Sequence, residues 1–318
     1  MAENHTPSAA PILKWVGGKR KQVPALLQAL ELDKAPADAN FWGDFLGGAA
    51  LELEVAAGVL DGRWPGLRLI LGDINKRLID CYWETVHHTP EVLVALEALE
   101  ELYRKAGDGQ REDLAHHARG EVYYRARNRF NLGNLPAPEQ AAHLLFLNRR
   151  GFNGLYRVNK SGGFNVPHGK MAGGYKPPGD DGARLRAFAA TLGPVALLRT
   201  GHWRTGAWRR AKAGDRVYWD PPYMPDRKGG FVSYAGAFGE GEQRALARVG
   251  GALANRGVRV VHNNHDLPMV REMWEEQGFE CVSFEAPRPV SRGRKGKDGT
   301  VKRPKARELL IFGGPVEV

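Results

Sequence analysis

Four consecutive residues, Asp220, Pro221, Pro222 and Tyr223, carry groups suited to chemistry on an exocyclic amino nitrogen. Such a nitrogen, adenine N6 for example, is a poor nucleophile because its lone pair is delocalised into the ring. If the Asp220 carboxylate accepts one N–H and the Pro221 carbonyl the other, the nitrogen is drawn towards a geometry that aims its lone pair at a methyl donor. Two prolines restrict the backbone and hold that carbonyl in place. Tyr223 offers an aromatic face for an extruded base, so its ring rather than its hydroxyl is expected to matter. The competing reading is an ordinary proline turn. A chosen tetrapeptide arises by chance about once in a thousand chains of this size, and placement directly after the apolar run at 216–219 makes chance a poorer account still.

Two further constellations suit a charged nucleotide-like cofactor. Lys14-Trp15-Val16-Gly17-Gly18-Lys19 reads on its own as a surface turn, yet Trp15 supplies a stacking plane and Lys19 a cation for a carboxylate. Phe45-Leu46-Gly47-Gly48-Ala49 is a glycine turn between a strand and a helix, and Asp73 closes the next strand, where an acid suits ribose hydroxyls. The full G-x-G-x-x-G spacing is missing, which leaves this pattern weak by itself.

Charge points to a polyanionic partner. The formal net charge is +10, and neutralised phosphates release counterions. Between residues 140 and 179 there is no Asp or Glu, whereas Arg149, Arg150, Arg157, Lys160, Lys170 and Lys176 fall there among Phe152, Tyr156, Phe164 and Tyr175. From Arg288 to Arg307, nine Lys or Arg stand against Asp298 alone. A solvated charged face is the usual reading of such runs; their length and the interleaved aromatics favour a nucleic-acid surface.

These residues need elements to place them. The sequence predicts a strand at 41–46, a helix at 49–60, a strand at 67–72 and a helix to about 86, the opening of a doubly wound α/β sheet. Residues 90–148 read as mainly helical, with a charged break at 107–120, and 149–179 as loop and hairpin. Strands return at 195–199, 216–219, 258–262, 279–284 and 308–312. The expected organisation is a catalytic α/β domain in two parts, 1–86 and 191–318, interrupted by a largely helical, basic segment at 87–190. The composition, 42% hydrophobic and 26% charged, is that of a globular protein with a real core. No apolar run has the length of a membrane span. Residues 1–10 lack the order of a secretory signal and read as a frayed tail. Cys81 and Cys281 are expected to be buried thiols in a reducing cytosol.

The sequence resembles the Dam-type DNA adenine-N6 methyltransferases, in which the cofactor motif precedes the DPPY motif. The resemblance rests on PILKWVGGK at 11–19, FLGG at 45–48, LGDIN at 71–75, NRRGFNGLYRVNKSGGFNVPHGK at 148–170, DPPY at 220–223, FVSY at 231–234 and NHD at 264–266. It implies a Rossmann-like fold, S-adenosylmethionine as methyl donor, and a helical target-recognition domain whose hairpin enters double-stranded DNA. The implied cofactor positions are Trp15, Lys19, Asp73 and Asp220, with Phe45, Gly47 and Ile74 beside them. Arg157 matches the arginine that reads a guanine, flanked by Leu155 and Pro167, and Phe152 and Asn153 match residues that invade or stack where the base is flipped. Arg149, Asn159 and Lys160 complete the expected DNA-contacting set, Arg149 and Lys160 as phosphate contacts.

The chain departs from that family where Gly43-Asp44-Phe45 replaces the usual Glu-Pro-Phe, where Ala49 replaces a glycine, and where 292–305 is longer and more basic, read here as a mobile DNA-contacting loop. His262-x-x-His265-Asp266 has no Cys or further acid nearby and reads as structural; no metal site is expected. His87-His88 and His116-His117 are expected to face solvent. The resulting expectation is a monomeric, cytoplasmic adenine-specific enzyme acting at a site containing G-A, GATC-like, in restriction-modification or in replication or repair. The rivals are a catalytically impaired DNA-binding protein and an RNA or protein-amide methyltransferase.

Overall fold

In the computed structural model, residues 9–170, 175–225, 238–287, 294–295, 301–302 and 305–315 are described. In chain order the strands are β1 (Asn40–Gly43), β2 (Arg68–Asp73), β3 (Ala196–Thr200), β4 (Arg216–Trp219), β5 (Arg259–His265), β6 (Glu280–Pro287), β7 (Arg294–Lys295), β8 (Val301–Lys302) and β9 (Lys305–Gly313). The helices are α1 (Val23–Leu30), α2 (Ala50–Leu60), α3 (Lys76–His87), α4 (Thr89–Lys105), α5 (Glu112–Leu132), α6 (Ala137–Arg150), α7 (Asp181–Leu192), α8 (Ala207–Arg210), α9 (Glu240–Asn255) and α10 (Pro268–Glu275). They fall into two compact units: residues 1–20, 47–62 and 73–200, and residues 21–46, 63–72 and 201–318.

The second unit carries the sheet that matters for the site. Six strands lie in the order β2-β1-β4-β5-β9-β6. The first four are mutually parallel, and β9 runs antiparallel to both of its neighbours, β5 and β6. Parallel strands covered on both faces read as continuous apolar runs, which is why LRLIL and VRVV were legible. From β1 the chain passes to β2 on one side, and from β4 to β5 on the other. The carboxyl ends of β1 and β4 therefore flank a topological switch point, where ligands bind in open α/β sheets. Trp42, Trp219, Leu246, Val260, Trp274, Leu309 and Ile311 form the core beneath them. At the opposite end, Asp215 accepts from Asn40 N at 2.8 Å and Trp42 Nε1 at 2.8 Å, which locks β1 to the start of β4.

The first unit is helical. Asn75 caps α3 by accepting from Leu78 N, and Asp180 caps α7 by accepting from Ala183 N. Its core draws Tyr82 from α3, Leu96 and Tyr103 from α4, Tyr123 and Phe130 from α5, and Phe146 from α6. The expected break at 107–120 is shorter than predicted, because α5 already begins at Glu112. Glu112 and Asp113 favour a helix N-terminus, and Ala115, Tyr123 and Phe130 supply an inward face.

Within 292–305, Arg294–Lys295 pairs antiparallel with Val301–Lys302, and most of the segment expected to be a mobile DNA-contacting loop lies outside the described residues. Most of the expected N-terminal tail and the FVSY motif at 231–234 lie outside the described residues.

Candidate active site and nucleic-acid interface

Asp220 follows β4 directly, at the switch point of the second unit. The tetrapeptide is held by polar side chains from α9 and β5. Gln243 Nε2 donates to the Pro222 carbonyl at 2.9 Å, and Gln243 Oε1 accepts from Asn264 Nδ2 at 2.9 Å. Asn264 Oδ1 accepts from Met224 N at 3.0 Å, and His265 Nδ1 lies 2.7 Å from the Met224 carbonyl. Gln243 and Asn264 are buried, where such bonds are costly to lose. The NHD motif thus frames the tetrapeptide from the end of β5, whose last two residues are Asn264 and His265. His262 is buried, bonds to the Trp219 carbonyl at 3.2 Å and stacks on Trp274 at 4.5 Å, a packing role.

Tyr223 brings a residue that sequence reasoning missed. Its hydroxyl donates to Glu308 Oε2 at 3.3 Å, and Gln22 Nε2 donates to the same oxygen at 3.2 Å. Burial, then the nearby Asp220 and Glu308 carboxylates, hold the phenol well above its ordinary pKa, so it stays protonated and able to donate. The ring stands edge-on to His265 with centroids 5.0 Å apart. The hydroxyl is therefore engaged as well as the ring.

The departure at Asp44 also has a physical account. Its Oδ2 accepts from Ala207 N at 3.0 Å and from Trp219 Nε1 at 3.2 Å. A Cβ at Gly206 would sit 1.7 Å from its Oδ1, so glycine is required there. Asp44 is buried and braces the strand that ends in Asp220. Phe45, next in the chain, is half-buried and meets the edge of Phe238 at 5.7 Å.

In the first unit, Gly47 N donates to Asp73 Oδ2 at 3.1 Å, and Asn75 N donates to Asp73 Oδ1 at 2.8 Å. Burial raises the Asp73 pKa, opposed by these backbone bonds. Trp15 lies across the glycine turn: a Cβ on Gly47 would be 3.0 Å from its indole Cδ1 and Nε1. Gly47 has φ +47°, a left-handed conformation that suits glycine. Ala49, the position of the missing glycine, is also left-handed, with φ 58°. Lys19 is buried, and its Nζ donates to the Gly17 carbonyl at 2.7 Å. Ile74 is 56% exposed, an apolar side chain open at the rim. The structure thus brings Trp15, Gly47 and Asp73 together.

Trp15 also stacks on Tyr156 at 5.5 Å, and Tyr156 donates to Asn75 Oδ1 at 3.3 Å. Asn148, a second residue missed, clamps the N-terminal motif to the recognition block. It accepts from Lys14 N at 2.7 Å and donates to the Lys14 and Gly154 carbonyls at 2.9 and 2.8 Å.

The recognition block is a hairpin packed on α5. Bridges join Gly151 to His168 and Val158 to Phe164. Asn159 Oδ1 closes the turn by accepting from Ser161 N and Gly163 N at 3.1 and 2.8 Å. Phe152 N donates to the Pro167 carbonyl at 2.9 Å. Phe152, Asn153, Arg157, Asn159, Lys160 and Pro167 are exposed, Leu155 is half-buried, and Asn153 is left-handed at φ 54°. These expected DNA contacts share one hairpin.

Arg149 does not join them. Its guanidinium meets Asp181 at 2.7 and 2.5 Å and Glu100 at 2.9 Å. Arg150 is buried and pairs with Glu100 as well. The last turn of α6 faces acids on α4 and α7, so two of the six cations in the acid-free stretch are answered inside the unit. Arg149 is thus an internal ion-pair residue rather than the expected phosphate contact. His116 is likewise engaged, stacked on His168 at 4.6 Å.

Comparison with known proteins follows the same lines. Residues 15–288 match the model of the D12 class N6 adenine-specific DNA methyltransferases. The chain is 28% identical over 310 residues to a type II methyltransferase, M.MjaIII, of Methanocaldococcus jannaschii, covering 95% of this chain and 98% of that one. It is 30% identical over 306 residues to the DNA adenine methylase of Vibrio cholerae, covering 95% of each chain. The DNA adenine methylase of Escherichia coli K12 is 30% identical over 305 residues, again covering 95% of each.

Proposed function

The chain belongs to the D12 class N6 adenine-specific DNA methyltransferase family, and on that premise we propose that it methylates an adenine extruded from duplex DNA, at a site containing G-A, with Asp220 to Tyr223 as the reacting surface. The observation that carries this reading is the Gln243–Asn264 frame, which holds the Pro222 carbonyl and Met224 N and so presents the tetrapeptide rigidly at the end of β4. Asp220 accepts one N6–H and the Pro221 carbonyl accepts the other. Gln243 fixes the Pro222 carbonyl, and with it the backbone that carries the Pro221 carbonyl. Tyr223 stacks on the base, with its hydroxyl tethered by Glu308. Pre-set acceptors of this kind favour the geometry that the nitrogen adopts during transfer and avoid reorganisation at the moment of reaction.

The residues of the first unit fit S-adenosylmethionine. The glycine turn is stripped of side chains beneath the Trp15 indole, Asp73 offers a carboxylate beside it, and Ile74 leaves an apolar surface open. Trp15, Lys19, Gly47, Asp73 and Ile74 would hold the cofactor. When bound, it supplies an activated methyl group on sulfonium. Everything else asked of the protein is position and hydrogen bonding.

The hairpin serves as the reader. Arg157 takes a guanine O6 and N7 together, with Leu155 and Pro167 beside it. Phe152 and Asn153 fill or brace the space the adenine leaves, while Asn159 and Lys160 meet the backbone. GATC is the site we expect. We expect the enzyme to act as a monomer in the cytoplasm. Among the described residues no helix is long and apolar enough to cross a membrane.

The test is methyl transfer from labelled donor to an oligonucleotide duplex, with modification-detecting sequencing of DNA from a methylation-free host expressing the chain. Asp220→Ala should lower turnover by about two powers of ten or more, the scale of a key transition-state hydrogen bond. Near-normal turnover in that variant would refute the mechanism.

A further inference from the structure

Arg157 does not hang free on its hairpin. Its Nε donates to Asn165 Oδ1 at 2.7 Å, and its Nη2 donates to the Asn165 carbonyl at 3.1 Å. The backbone repeats the pairing, since Asn165 N donates to the Arg157 carbonyl at 3.0 Å. Both residues sit at the open face of the hairpin.

Asn165 is itself anchored on either side. Phe164 and Val166 are each 1% exposed. The Asn131 side chain, from α5, accepts from Phe164 N at 2.8 Å and donates to the Phe164 carbonyl at 2.9 Å. The Val166 carbonyl accepts from Tyr123 Oη at 3.0 Å and Arg127 Nη1 at 3.2 Å, also from α5. The acceptors that Arg157 uses are therefore fixed to a helix rather than to a loose turn.

A guanidinium carries five N–H donors in one plane. Nε–H and one Nη2–H are taken by Asn165, and they fix that plane. The opposite edge, formed by Nη1 and the second Nη2–H, keeps the paired donors that match guanine O6 and N7. We propose that Asn165 is a positioning residue for base reading, holding the Arg157 guanidinium in its reading orientation before DNA arrives. A long flexible side chain that is already oriented loses less freedom on contact, and a fixed plane rejects bases whose acceptors lie elsewhere. The proposal rests on Arg157 reading a guanine.

The experiment measures methylation rates on duplex oligonucleotides with each base of the site replaced in turn, for wild type, Arg157→Ala, Asn165→Ala, Asn165→Asp and the Arg157→Ala/Asn165→Ala double variant. Arg157→Ala should reduce discrimination at the guanine by about 5- to 150-fold. Asn165→Ala removes the Nε partner but leaves the carbonyl contact, and should reduce the same discrimination by about 5-fold, with no further loss in the double variant. Asn165→Asp keeps an acceptor for Nε and should keep discrimination, while its added negative charge slows all oligonucleotides alike. If Arg157→Ala loses discrimination and Asn165→Ala only slows every oligonucleotide equally, the positioning role is overturned and guanine reading stands. If Arg157→Ala itself slows every oligonucleotide equally, guanine reading falls, and the proposal with it.

Discussion

Replacing Asp44 by Ala tests whether the departure at Gly43-Asp44-Phe45 is structural. Asp44 Oδ2 serves two buried donors, Ala207 N at 3.0 Å and Trp219 Nε1 at 3.2 Å. Each donor stranded away from water costs about 1–3 kcal/mol, so Asp44→Ala should destabilise the protein by roughly 2–6 kcal/mol. A chain of 318 residues gains enough entropy on unfolding that 1 kcal/mol moves the melting temperature by about 1.5 °C. The expected drop is therefore about 3–9 °C by calorimetry or circular dichroism. Asp44→Asn keeps one acceptor oxygen for both donors and should lose about half as much. Titration calorimetry with S-adenosylmethionine supplies the second arm. A side chain turned towards Trp219 and Ala207 braces the strand rather than gripping a ligand, so Asp44→Asn should change the donor Kd by less than about threefold. A melting temperature within 1 °C of wild type for Asp44→Ala, or a tenfold weaker Kd for Asp44→Asn, would refute the argument.

Three other outcomes follow from the structure. Tyr223→Phe keeps the ring and loses the bond to Glu308, about 1.5 kcal/mol for a hydrogen bond to a charged group, so kcat should fall up to tenfold. Tyr223→Ala should fall by more than a hundredfold. Glu308→Gln should add nothing in the Phe background, and an additive loss there would show that Glu308 acts elsewhere. Arg150→Ala strips a buried charge partner from Glu100 and should cost about 3–5 kcal/mol in urea denaturation; a cost under 1 kcal/mol would mean that Arg149 alone satisfies that acid. His168 has its pKa lowered to about 4 by burial, then by His116, Arg150 and Arg119. The fold thus favours neutral imidazole, its contribution is complete above the unfolded value near 6.5, and stability should drain away as pH falls from 6.5 towards 4. His168→Gln should show a shallower decline between pH 7 and 5, and identical slopes would contradict the assignment.

What could be read from the chain and what could not divides along physical lines. Apolar runs such as LRLIL and VRVV announce covered parallel strands, and the position of Asp220 after a further run, RVYW, locates the switch point. Both signals are local. Partners distant in sequence left no such trace. Arg149 looked like a DNA contact because its neighbourhood lacks acids, yet Asp181 and Glu100 reach it from 32 and 49 residues away. Glu308 meets Tyr223 across 85 residues, from a strand whose alternation marks it only as less buried than Leu309. The start of α5 was missed for another reason: GDGQRED is polar enough to read as a break, and only tertiary burial of Tyr123 and Phe130 shows the helix running on behind it.

The position of Trp15 over the glycine turn restricts which sequences can occupy this fold. A side chain at residue 48 would press on Trp15 Cβ at 3.0 Å, an atom present in every residue type but glycine. Position 48 is therefore tight whatever side chain stands at 15, because that Cβ would have to give by a few tenths of an ångström. Position 47 is closed twice, by the indole and by its own left-handed backbone. Trimming the tryptophan would remove only the first of those bars. The three sites are thus coupled unequally: glycine at residue 15 would make room for a side chain at 48, whereas no change at 15 relieves the left-handed backbone at 47.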